Sequence, residues 1–192
     1  MSANLLNKIE QRLPPRRAQL LTICYVGFIY ATLPVTRPAL NFLKGTLGEA
    51  FSTTIYAFLF LIALGIIVLL LREGRGWKSL ALLVAILGVT ASILPSIKLP
   101  EERIHFLEYA VLGVLLYFAL WKNIQGRRLF LFIPALVLLI GFGDELIQGI
   151  VPNRFYQFTD VLMNFSGGIL GELILITFNP GLSKREKSVY ET

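Results

Sequence analysis

The chain has 192 residues, 55% of them hydrophobic and 16% charged, with mean hydropathy +0.69; this is too apolar for a soluble domain and excludes collagen, coiled coil and disulfide scaffold. Eighteen Lys and Arg against twelve Asp and Glu give a formal charge of +6, an excess that loop orientation in a membrane accounts for without nucleic acid. One cysteine, Cys24, forbids an intramolecular disulfide, and one histidine, His105, excludes any site built from two or three imidazoles.

The chain opens with Leu5, Leu6, Ile9 and Leu13 at helical spacing beside Lys8, Glu10 and Arg12, ahead of Pro14-Pro15. This reads as an amphipathic helix lying on the membrane, with a disordered tail as the equal alternative. It is not a cleavable signal peptide, because the first apolar run starts only at Ala18, is a full span long and lacks a small-x-small cleavage signal.

A hydrocarbon core about 30 Å thick calls for about 20 apolar residues of helix. Four uncharged or nearly uncharged runs meet this requirement, Ala18–Thr36, Ala50–Leu71, Ser79–Ile97 and Val161–Ser183, the last interrupted by Glu172. Tyr109–Trp121 and Leu129–Gly143 are short, and reach full length only by absorbing His105 and Glu108 in one case and Asp144, Glu145 and Gln148 in the other. Six spans follow, forming an all-α polytopic bundle with no β-barrel alternation.

Lysines and arginines alternate with these spans. Thirteen lie on the side of the two termini (Lys8, Arg12, Arg16, Arg17, Arg72, Arg75, Lys78, Lys122, Arg127, Arg128, Lys184, Arg185, Lys187), against Arg37, Lys44, Lys98, Arg103 and Arg154 on the other. Positive charge near cytoplasmic helix ends therefore predicts both termini in the cytoplasm. The organisation predicted is a cytoplasmic segment over 1–17, three spans over 18–100, a second half with three spans and an outer polar cluster over 101–183, and a cytoplasmic tail over 184–192. No internal repeat or low-complexity segment interrupts it.

Ionisable groups at membrane depth are candidates for function because each costs at least a few kcal/mol to place there. His105 and Glu108 are i, i+3 at the outer end of span four; Asp144 and Gln148 are i, i+4 at the outer end of span five, with Glu145 adjacent; Asp160 and Asn164 are i, i+4 at the outer start of span six. Arg154 lies in the joining segment. Plainer readings stand beside each. Asp160 reads first as a helix cap, and Gln148 and Asn164 as interhelical hydrogen-bond glue worth about 1 kcal/mol each. Arg154 can snorkel or pair with Asp160, while Lys98, Glu101 and Glu102 read as a solvated loop. Glu172 is either a proton-relay group or a neutral hydrogen-bonding one. Gly167, Gly168 and Gly171 predict tight packing of span six, which would draw Asp160 and Asn164 against spans four and five.

The runs Glu102-Arg103-Ile104-His105-Phe106-Leu107-Glu108-Tyr109, Gly143-Asp144-Glu145-Leu146-Ile147-Gln148, Pro152-Asn153-Arg154 and Asp160-Val161-Leu162-Met163-Asn164 together resemble the VanZ-like family, named for a teicoplanin-resistance accessory protein. The resemblance covers the second half, from Glu102 to Leu173. It implies a multi-pass protein of the bacterial cytoplasmic membrane, linked in one lineage to glycopeptide resistance, with family interest in His105-Phe106, Glu145, Gln148, Arg154, Asp160 and Asn164. The family's frequent Asp-Lys pair before the histidine is replaced here by Glu102-Arg103.

Three functions compete. The first is a membrane enzyme acting on a lipid-linked or cell-envelope substrate, with His105, Glu108, Asp144, Glu145 and Asp160 as its catalytic groups. In that reading Glu145 is the general acid/base, His105 is a proton carrier oriented by Glu108, and Gln148, Arg154 and Asn164 bind substrate, with Arg154 on an anionic phosphate or carboxylate. The second is a binding or transport module for an anionic lipid or cell-wall precursor. The third is an accessory protein whose polar cluster locks three helices together. No P-loop, nucleophile elbow or zinc-protease motif occurs. Glu145, Asp160 and water could hold a hard divalent ion, but the spacing does not require one, and no cofactor is identified. Membrane lipids are the expected partners, and nucleic acid is not. The sequence sets neither oligomeric state nor substrate.

Overall fold

The structure is a computed structural model and describes residues 5–97, 100–124, 126–151 and 156–182, apart from the side chains of 100 and 101. Lys98 and the tail predicted over 184–192 lie outside the described residues. Among those described there are seven helices and no strand: α1 (Leu5–Arg12), α2 (Pro15–Leu47), α3 (Ala50–Arg72), α4 (Trp77–Ile93, continued by a 3-10 turn over Leu94–Ser96), α5 (Pro100–Leu120), α6 (Arg127–Gln148) and α7 (Phe158–Phe178). Helices α2 to α7 are long and apolar enough to cross a membrane. Helix is the expected form, because a backbone in hydrocarbon must satisfy its N–H and C=O groups within itself.

The two short apolar runs lengthen as the sequence predicts. Helix α5 takes in His105 and Glu108, and α6 takes in Asp144, Glu145 and Gln148. The end of span one needs correction. Helix α2 does not stop at Thr36 but continues through Arg37 and Lys44 to Leu47, across Pro34 and Pro38. Those prolines each remove one N–H donor, which reads in the sequence as a stop, yet the helical path continues on either side. At 1.5 Å per residue α2 is about 50 Å long, and its final stretch, from Asn41 to Leu47, is exposed. Gly48, at φ 55°, then turns the chain into α3, a backbone conformation that favours glycine.

The N-terminal segment forms a helix that docks on its own bundle. Leu5, Leu6, Ile9 and Leu13 join the main apolar core. The Leu5 N–H donates to Glu73 Oε2 (2.8 Å), and the Tyr117 hydroxyl donates to Glu10 Oε1 (3.0 Å). These contacts lie at the ends of α3 and α5, so α1 marks one end of the bundle. The opposite end, the site end, holds the start of α5, the close of α6 and the start of α7.

Helices α5 and α7 form the centre, each with 56% of its spanning window buried, against 11% for α3 and 6% for α4. The glycines of α7 explain the close approach, as their spacing predicts. A Cβ at Gly167 would strike the Phe106 carbonyl oxygen, one at Gly171 the Ala110 carbonyl oxygen, and one at Gly168 would stand 2.7 Å from Val137 of α6. Without side chains at these points the backbones of α5 and α7 meet directly.

Candidate functional site

His105 lies in the second turn of α5 with its imidazole between two carboxylates. Nδ1 is 2.6 Å from Glu108 Oε2, one turn along the same helix. Nε2 is 3.0 Å from Asp144 Oδ2 on α6. The second contact has ion-pair distance, but its N–H is not aimed at the oxygen, so Nε2 has no hydrogen-bond partner among the described residues and the attraction there is electrostatic. The Tyr109 hydroxyl donates to the same Asp144 Oδ2 at 3.0 Å, and its ring meets the imidazole edge-on at 5.8 Å.

Asp144 is fully buried, and its other oxygen, Oδ1, has no hydrogen-bond partner among the described residues. Asn164 of α7 is also fully buried, with both amide atoms unpartnered among those residues. It packs on Gly141, where an added Cβ would stand 3.0 Å from Asn164 Cβ and 3.5 Å from the Tyr109 ring. Gly141 is one turn before Asp144 on α6, so the orphaned amide and carboxylate share one helix face. Buried polar groups are ordinarily paired, and unpaired ones cost about 1–3 kcal/mol each.

Glu145 belongs to a separate, saturated arrangement. Its Oε1 accepts from Gln148 Nε2 and its Oε2 from the backbone N–H of Gln157, both at 3.0 Å. Gln157 is the N-cap of α7 and makes no side-chain cap bond of its own. The sequence reading of Asp160 as the cap is thus corrected: Asp160 is the third residue of α7, half-buried, and its Oδ1 accepts from the Thr159 hydroxyl at 3.3 Å. A carboxylate there still complements the helix dipole. The cap position falls earlier because the helix starts at Phe158. Arg154 lies outside the described residues.

Two residues that the sequence reading did not single out reach the site from α2. The Tyr25 hydroxyl donates to the Glu108 carbonyl (3.1 Å) and the Tyr30 hydroxyl to the Ile140 carbonyl (2.7 Å). Gly143 makes room for the latter, since a Cβ there would come within 2.7 Å of the Tyr30 oxygen. A phenol inside an apolar span was the available signal, because its hydroxyl needs a partner.

Residues 100–179 match the family model VanZ/LLP1. The second half of the chain thus carries a VanZ-like region. The match runs from the start of α5 to the residue after α7, so it covers the helices that carry His105, Asp144 and Asn164 and leaves out α2 with its two tyrosines. No curated protein and no solved structure matches the chain. Among the described residues, no group of three or more His, Cys, Asp or Glu is arranged to hold a metal ion.

Proposed function

We propose that the chain binds, and acts on, the polar headgroup of an anionic lipid-linked or cell-wall precursor at the His105–Asp144–Asn164 cluster, on the outer face of the bacterial cytoplasmic membrane. The observation that carries this reading is the pair of orphans, Asp144 Oδ1 and the Asn164 amide, both fully buried beside an imidazole in contact with two carboxylates. A network kept only for packing would be closed, since half-satisfied polar groups at membrane depth destabilise the fold. A ligand supplying donors to Asp144 Oδ1 and Asn164 Oδ1 and an acceptor to Asn164 Nδ2 would complete it. His105 is then the proton carrier, held by Glu108. Glu145 and Gln148 brace the start of α7 and so position Asn164.

Transport is the weaker form of this idea. Glu172 is buried, with Oε1 unpartnered among the described residues, but the turn between it and Asn164 is filled by Gly168 packed on Val137, which breaks a polar path along α7. A role in teicoplanin resistance would follow if the precursor were one the antibiotic recognises.

The test is a comparison of envelope lipids, by mass spectrometry, in cells expressing the wild type, His105→Gln or Asn164→Ala, with teicoplanin susceptibility measured in parallel. The expected result is a lipid-linked species whose level changes at least tenfold with the wild type and not with His105→Gln. Identical profiles in all three, with both variants folded and inserted, would overturn the reading.

A further inference from the structure

An apolar groove of about 460 Å³ lies between α4 and α7, on the side of α7 roughly opposite Asn164, with Ile93, Ile97, Phe106, Leu162 and Leu173 among its lining. Its two hydroxyl-bearing residues offer nothing to a polar guest. Thr90 donates to Ile86 O and Ser166 to Leu162 O, each on its own helix. From Leu162 to Leu173 the groove follows α7 for about 16 Å. Its volume is in the range of small-ligand sites.

At its site end stands Arg103, 6% exposed. The guanidinium donates from Nη2 to the carbonyl of Ile97, a groove residue, at 3.0 Å, from Nε to Leu94 O at 3.2 Å and from Nη1 to Ser52 Oγ at 3.3 Å. It lies 4.4 Å over the Tyr56 ring. All these partners are neutral, and no carboxylate among the described residues pairs with it. A guanidinium has five N–H donors, so donors remain over. A buried cation without a counter-ion at membrane depth is costly, and phosphate matches the guanidinium fork.

We propose that this groove and Arg103 form a binding site for an anionic phospholipid, with an acyl chain along α4 and α7 and the phosphate on the guanidinium. The site shares no side chain with the polar cluster and does not rest on the function proposed above.

Native mass spectrometry of the full-length protein in detergent tests this, with phosphatidylglycerol and phosphatidylcholine of identical chains as probes. The wild type should bind phosphatidylglycerol at least tenfold more tightly, with no displacement by a hundredfold excess of inorganic phosphate. Arg103→Gln should reduce the preference to within twofold. Ser166→Trp, which fills the groove and leaves every Arg103 contact in place, should lose both lipids. Should Arg103→Gln not fold, the Ser166→Trp and phosphate measurements still decide. Equal affinity of the wild type for both lipids, a preference surviving Arg103→Gln, unchanged binding in Ser166→Trp, or displacement by free phosphate would each overturn the proposal.

Discussion

His105 Nε2 stands 3.0 Å from Asp144 Oδ2, a contact at ion-pair distance that links the start of α5 to the close of α6. Both partners are largely removed from solvent, with side chains 18% and 0% exposed, so the interaction is little screened. A double-mutant cycle of His105→Gln and Asp144→Asn, read by thermal or denaturant unfolding in detergent, should give a coupling of about 1–3 kcal/mol. Additive losses would mean that the two side chains are neighbours without an energetic link.

Tyr109→Phe should keep the fold and lose about 1.5–3 kcal/mol, the net worth of a hydrogen bond to a charged group. The ring still fills its fully buried place, and only the bond to Asp144 disappears. Unfolding measurements would show no loss if that hydroxyl bond contributed nothing.

Glu145→Gln should be destabilised by about 1–3 kcal/mol. The carboxylate accepts from two N–H groups, and an amide in its place must turn one donor toward another. Unchanged stability would remove Glu145 from its bracing role and return it to the candidates for acid/base work.

Gly167→Ala and Gly171→Ala should each cost about 2–4 kcal/mol or abolish folding, because the new methyl meets a backbone carbonyl of α5 that cannot step aside. Gly27→Ala and Gly88→Ala, with nothing within 4 Å of the added carbon, should be neutral or slightly stabilising through helix propensity. Similar behaviour of the two pairs would argue against a direct α5–α7 backbone contact.

Topology can be read in a Cys24→Ser background. Thr46→Cys, exposed at the site end, should react with an impermeant maleimide in intact cells, and Asn123→Cys, exposed at the other end, only after permeabilisation. The reverse pattern would invert the orientation drawn from loop charge.

Hydropathy and spacing along the chain suffice for the helical class, the six apolar segments and the depth at which His105, Glu108, Asp144, Glu145, Asp160 and Asn164 gather, because hydrophobic length and helical periodicity are local properties. Gly167, Gly168 and Gly171 likewise mark, before any packing is known, the helix that approaches its neighbours most closely. Which polar groups meet is a matter of the folded bundle. Glu145 is saturated by Gln148 and by the Gln157 backbone, whereas Asp144 and Asn164 keep open valences; neighbouring residues of one sequence motif thus have different surroundings. The docking of α1, the continuation of α2 past its prolines and the reach of Tyr25 and Tyr30 to the site are settled in the same way. Each depends on which side of a helix faces which neighbour, and that follows from packing between distant segments rather than from the order of residues along any one of them.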